Sequence, residues 1–140
     1  MTDVLEITDP SLLVLVGTSG SGKSTFAAAR FAPTEVLASD RFRAMIADDE
    51  DDQSVSGHAF ELLHAVAEKR LLHRRLTVVD ATNVEREARR ELLKLGKSWH
   101  LPVDALVLDV LLEVCVARDA VRSRRVGELV IRAQRAELDA

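Results

Sequence analysis

Residues Leu12 to Thr25 read Leu-Leu-Val-Leu-Val-Gly-Thr-Ser-Gly-Ser-Gly-Lys-Ser-Thr. The first five form a continuous apolar run ending at Gly17, which predicts a buried strand of a parallel sheet. From Gly17 the chain fits the phosphate-loop pattern GxxxxGK[ST], and Lys23 to Arg30 follow as helix formers until Pro33 stops them. The glycines permit positive φ and let backbone N–H groups converge on a phosphate without side-chain obstruction. The helix start adds unpaired N–H groups and the positive end of a dipole. Gly17, Ser19, Gly20, Ser21, Gly22, Lys23, Ser24 and Thr25 are therefore the expected nucleotide-binding set. Lys23 would place a charge on the β- and γ-phosphates, and the Ser24 hydroxyl would ligate Mg²⁺. A loop that merely turns the chain is the weaker alternative.

Working outward, the same motif of strand and helix recurs. Val36 to Ser39 is a second short strand closed by Asp40. From Ser56 to Arg74, Phe60, Leu63, Ala67 and Leu71 fall at helical spacing. Leu76 to Asp80 is a third strand with a polar end. Glu85 to Trp99 is an amphipathic helix with Ala88, Leu92, Leu95 and Trp99 on one stripe. Val103 to Asp109 gives a fourth strand, and Leu112 to Val121 and Val130 to Leu138 are helix candidates. Alternation of this kind implies right-handed crossovers and a parallel sheet covered on both faces. The expected fold class is α/β, of the P-loop NTPase type. It has three layers, about four strands and an arginine-rich C-terminal lid, and residues 1–140 form a single domain.

The 140 residues are 47% hydrophobic and 30% charged, enough for a packed core and against global disorder. No apolar run approaches the roughly 20 residues of a membrane span. The acidic start, MTDVLEITDP, lacks the basic region of a secretory signal. The single cysteine, Cys115, excludes an internal disulfide framework, and a reduced cytoplasm suits the chain best. The formal charge of −4 hides segregation. Asp48 to Asp52 form an acidic run, while Arg118, Arg122, Arg124, Arg125, Arg132 and Arg135 crowd the C-terminal fifth. A protein coating nucleic acid would be basic, so any polyanion contact here must be local.

Carboxyl ends of neighbouring strands converge on a nucleotide in such sheets, which places Asp40 and Asp80 together. Asp80 is expected beside Mg²⁺, with capping of the next turn as its alternative. Transfer of a phosphoryl group to a hydroxyl needs a carboxylate to take the proton and cations to hold the acceptor. Asp40 is the expected general base. Arg43, one helical turn on, is expected to grip a phosphate flanking the acceptor. The alternative is a helix-capping Asp with a solvated Arg. Arg118 and Arg125 are the expected lid cations, in a run where most arginines are solvated.

Other residues read more plainly. Asp48 to Asp52 suit a solvated loop better than a metal cage. His58, His64, His73 and His100 lack zinc-helix spacing and are expected at the surface or in a groove. Cys115 and Trp99 read as packing. Thr82 and Asn83 either orient Asp40 or the acceptor, or simply form a turn.

GTSGSGKSTFA, ASDRFR, DDEDDQS, LTVVDATNVEREARREL and VCVARDAVRSRR together resemble the 5′-kinase module of bacterial polynucleotide kinase-phosphatases, from about Leu13 to Leu138. The resemblance implies ATP- and Mg²⁺-dependent phosphorylation of a 5′-hydroxyl on RNA or DNA. It carries the family's phosphate-loop lysine and serine onto Lys23 and Ser24, its base onto Asp40 and its acceptor arginine onto Arg43. Its lid arginines fall on Arg118 and Arg125, and Gln53 and Ser54 border its acceptor cleft. In that family the module continues into a final strand and is joined to phosphatase and ligase-like modules. An unpaired sheet edge here is expected to favour a homo-oligomer or companion domains. Two other functions fit the same residues: a kinase of small metabolites or nucleosides, and a non-catalytic ATP-binding module.

Overall fold

A computed structural model of the chain describes residues 7–121 and 126–139. Strand β1 (Leu12–Val16) is followed by helix α1 (Lys23–Arg30) and strand β2 (Val36–Ala38). Helices α2 (Ser39–Ala47) and α3 (Ser56–Leu72) lead to β3 (Thr77–Asp80). Then come α4 (Arg86–Ser98), β4 (Val103–Val107), α5 (Leu112–Ala120) and α6 (Glu128–Asp139). The four strands form one parallel sheet in the order β2-β3-β1-β4. The α/β fold expected from the sequence is the fold observed.

β1 lies between β3 and β4, with Leu13 opposite both Val78 and Asp104. Its side chains alternate between faces, as any strand requires. Leu12, Val14 and Val16 join a core with Leu63 and Leu71 of α3 and Leu92 of α4. Leu13 and Leu15 pack on the other face with Ala27 of α1 and with Val36 and Val78. The apolar stripes read from the sequence in α3 and α4 therefore face one layer, and α1 supplies the opposite layer. Three layers hold every strand's C-terminal end toward the same rim.

Two local expectations fail. β2 ends at Ala38, and Ser39, expected in the strand, already begins α2, a nine-residue helix longer than the single turn expected from Asp40 to Arg43. Only Ser39 and Phe42 are buried within it, too few for a readable stripe. Among the described residues the sheet is also not covered on both faces throughout: β4 is an edge strand whose Ala105 and Val107 are exposed. No described helix is long and apolar enough to cross a membrane.

Candidate active site

The phosphate loop is built from the end of β1 upward. Gly17 N–H donates to Thr82 O (3.0 Å), anchoring the loop to the residues after β3. A Cβ on Gly17 would meet Ser21 Oγ at 2.6 Å, so glycine lets the loop close on itself. Gly20 (φ 82°) and Gly22 (φ 95°) take the left-handed turns that follow. Lys23 opens α1, largely buried, and its Nζ donates to Thr18 O at 3.0 Å. Ser24 Oγ donates to Asp80 Oδ2 at 2.8 Å.

Burial pushes the Asp80 carboxyl above its ordinary value, opposed by the Ser24 hydroxyl and the Lys23 ammonium. The nearby charge of Asp40 raises it further, and Arg41 opposes that. Asp40 and Asp80 are thus electrostatic neighbours, delivered by the ends of β2 and β3. A cavity of about 370 Å³ is lined by Ser19, Gly20, Gly22, Lys23, Ser24 and Thr25 of the loop and by Asp40, Arg43, Asp80 and Arg118. Gly17 and Ser21, expected in the binding set, lie behind this lining. Gly17 shapes the loop, and the buried Ser21 donates its N–H to Thr18 O.

A second cavity, of about 770 Å³, adjoins the first and shares Ser19, Ser39, Arg43 and Thr82 with it. Phe60, Leu63, Val84 and Leu92 make its apolar floor, and Asp51, Glu85, Glu87 and Glu91 contribute carboxylates. Gln53 also borders it, whereas Ser54 is not part of its lining. Arg43 Nε is held by Glu50 O at 2.7 Å, which fixes the guanidinium between the two cavities. Half-buried His64 lies here too, and burial lowers it below its usual value against the pull of Glu91.

The remaining expectations sort by contact. Asp49 and Asp52 accept backbone N–H bonds from Asp51 and Ser54, turns of a solvated loop rather than a metal cage. Among the described residues no group of three His, Cys, Asp or Glu side chains could hold a metal ion. His58, His73 and His100 are exposed, and Trp99 packs against the core. Asn83 sits at φ 50° and donates through Nδ2 to Leu15 O (2.7 Å) and Ala81 O (3.3 Å), which makes it a turn former. Arg118 Nη1 donates to Gly20 O at 3.1 Å. Arg132 and Arg135 are instead engaged with Glu128, Asp109 and Asp139. Arg125, the second expected lid cation, lies outside the described residues.

Sequence reasoning missed how the C-terminal helices grip the loop. Thr18 Oγ1 donates to Cys115 Sγ (3.2 Å), and Ser19 N–H donates to Gln134 Oε1 (2.8 Å). Buried Asp119 accepts from Val126 N–H and Gly127 N–H, both at 2.9 Å, and so closes α5 onto the start of α6. A lone Gln or Cys on a helix carries no signal that would announce partners about a hundred residues away.

A family model described as an AAA domain matches residues 12–140. The chain belongs to this AAA-domain family. No curated protein matches the sequence. Among solved structures, the Pnkp1/Rnl/Hen1 RNA repair complex contains a chain with TM-score 0.79 and 25% identity, covering 96% of this chain and 45% of that one. The APS kinase CysC of Mycobacterium tuberculosis, solved with AMPPNP and APS, has TM-score 0.60 and 25% identity, covering 79% and 69%. A gluconokinase from Sinorhizobium meliloti has TM-score 0.60 and 21% identity, covering 94% and 77%, a likeness of fold alone. The chain spans less than half the length of the first of these. The AAA-domain protein thus has a P-loop kinase-like fold, one shared by a chain of an RNA repair complex, an APS kinase and a gluconokinase.

Proposed function

We propose that these residues form a kinase domain that transfers the γ-phosphate of ATP to the 5′-hydroxyl of an RNA or DNA end. One observation carries the reading. Asp40 and Arg43, from the first turns of α2, line the same cavity as Lys23, Ser24 and Asp80. A carboxylate and a fixed guanidinium thus share one cavity with the phosphate loop.

The Ser24 hydroxyl and the Asp80 carboxylate are hard oxygen donors 2.8 Å apart, a pair that fits Mg²⁺. The rest of such an ion's shell would come from phosphate oxygens and water, as is usual for Mg²⁺. Bound there, Mg²⁺ would neutralise charge on the β- and γ-phosphates. Asp40 takes the proton of the acceptor hydroxyl as its oxygen forms a bond to the γ-phosphorus. The bond from that phosphorus to the bridging oxygen breaks and leaves ADP. Lys23 balances the charge that grows on the phosphates, and Arg118, poised at Gly20 O, adds a second cation. Arg43 holds the phosphate that follows the 5′ nucleoside.

The nucleic-acid acceptor is supported by the motifs shared with polynucleotide kinase modules and by the likeness to a chain of an RNA repair complex. A second reading has its own support. The larger cavity carries four carboxylates against Arg43 and an apolar floor, which suits an uncharged small alcohol better than a polyanion. The deciding experiment offers labelled ATP with a short 5′-hydroxyl oligonucleotide, and separately with nucleosides and sugars. Label on the oligonucleotide is the expected result. Label only on a small alcohol overturns the first reading in favour of the second.

A further inference from the structure

The α5–α6 hairpin holds three consecutive residues of the phosphate loop. Thr18 bonds to Cys115, Ser19 to Gln134, and Gly20 to Arg118. Of these contacts, the one to Ser19 sits where the chemistry must pass. Ser19 is among the four residues lining both cavities, so it borders the route from the phosphate cradle to the acceptor. Gln134 itself lines the larger cavity.

Gln134 is presented rigidly. It lies on the inner stripe of α6 between Ile131, fully buried, and Leu138, which packs against the core. Beside it Arg135 is paired with Asp109 (2.9 Å) and Asp139 (3.2 Å), pinning the helix to the loop after β4. Its Oε1 accepts the Ser19 N–H, which leaves the Nε2 donor as the amide's other polar group. A carboxamide is neutral, so it can fix a loop N–H without adding negative charge beside a triphosphate. A glutamate at the same place would accept the same bond and repel the ligand.

We infer that Gln134 is a positioning residue: by holding Ser19 N–H it sets the part of the phosphate loop that faces the transferred γ-phosphate. This rests on the nucleotide-binding half of the function proposed above, and not on the identity of the acceptor. Seating of α6 and recognition of the terminal phosphate are then one event. ATP and ADP differ only by the group concerned, which makes them the probes.

Mg·ATP and Mg·ADP affinities are measured by calorimetry for the wild-type chain, Gln134→Leu and Gln134→Glu, with melting temperatures alongside. Gln134→Leu is expected to weaken ATP about tenfold, the scale of one hydrogen bond acting on a charged ligand, while ADP stays within about twofold. Gln134→Glu keeps the acceptor oxygen and adds charge, so it is expected to weaken ATP more than the leucine variant at neutral pH. It is also expected to recover as pH falls through the carboxylate range. It serves alone if the leucine variant does not fold. Equal weakening of both nucleotides, in step with a lower melting temperature, would mean a structural role and overturn the inference, as would unchanged ATP affinity. A wild-type chain that binds neither nucleotide sinks both readings. One that binds both but phosphorylates no oligonucleotide sinks only the acceptor assignment.

Discussion

Ser24 Oγ and Asp80 Oδ2 stand 2.8 Å apart, joining the first turn of α1 to the last residue of β3. The bond forms because β1 and β3 are adjacent parallel strands, so the loop after one meets the carboxyl end of the other. It also holds together two groups of opposite value to the protein. The hydroxyl is at home near a helix start, whereas the carboxylate is buried at a cost.

Asp80→Asn tests that cost. Asp80 is raised above its ordinary value of 3.8, so the folded chain holds this proton more tightly than the unfolded chain. Stability from this group is therefore greatest at low pH and declines as pH rises from 3.8 through the raised folded value. Asparagine removes the decline. In chelator, the variant should melt at a higher temperature than the wild type at pH 7, and the difference should vanish below pH 4. Transfer activity with Mg²⁺ should fall by roughly 10²-fold or more. A variant that melts lower at neutral pH would show that Asp80 is instead held by its partners in a stabilising charged state.

Asp40→Ala should separate chemistry from nucleotide binding. The proposed base meets the acceptor proton, so turnover should fall by about 10²–10⁴-fold while the dissociation constant for Mg·ATP changes less than about twofold. Single-turnover transfer beside equilibrium ATP binding measures both. The same substitution removes a carboxylate that raises Asp80, so the pH-dependent melting described above should shift to lower pH. Wild-type turnover in Asp40→Ala would remove this residue from the mechanism.

These predictions concern the parts of the site that the sequence made readable, and the reason is local. Gly17 to Thr25 encode their own geometry through glycines and a helix start, so Lys23 and Ser24 could be placed without knowing the rest of the fold. Asp40 and Asp80 followed because strand ends in a parallel sheet meet at one rim. The extent of helix α2 beyond its first turn escaped because only Ser39 and Phe42 of its nine residues are buried, which leaves no stripe to read. Gln134 and Cys115 escaped for a different reason. Their partners are fixed by the packing of α5 and α6 over the loop, a long-range outcome that no spacing within those helices records.

Leu63→Ala should report on the layer that supports both cavities. Leu63 is fully buried in α3 among β1, β3 and α4, and it also forms the floor of the larger cavity. Truncation leaves a void that the sheet cannot close, at a cost of about 3 kcal/mol. The melting temperature should drop by roughly 10 °C. Leu63 is not part of the lining of the phosphate cavity, so Mg·ADP affinity below the transition should be unchanged. A drop of less than about 3 °C would mean that α3 relaxes into the space.

Gly20→Ala should damage the loop through its backbone, and Gly57→Ala provides the contrast. A Cβ at Gly20 would sit 2.5 Å from Cys115 O, a backbone atom that cannot swing aside, and φ is +82°. The left-handed conformation alone costs an alanine about 1–2 kcal/mol. Relief requires α5 to retreat, which stretches the Thr18–Cys115 and Arg118–Gly20 bonds together. Gly20→Ala should therefore melt lower and bind both Mg·ATP and Mg·ADP at least about tenfold more weakly. Gly57, near the start of α3, has open space where a Cβ would go. Alanine there should raise stability by about 0.5–1 kcal/mol through helix propensity and leave nucleotide binding untouched. If Gly20→Ala behaves like Gly57→Ala, the contact between α5 and the phosphate loop is not a fixed feature of the folded protein.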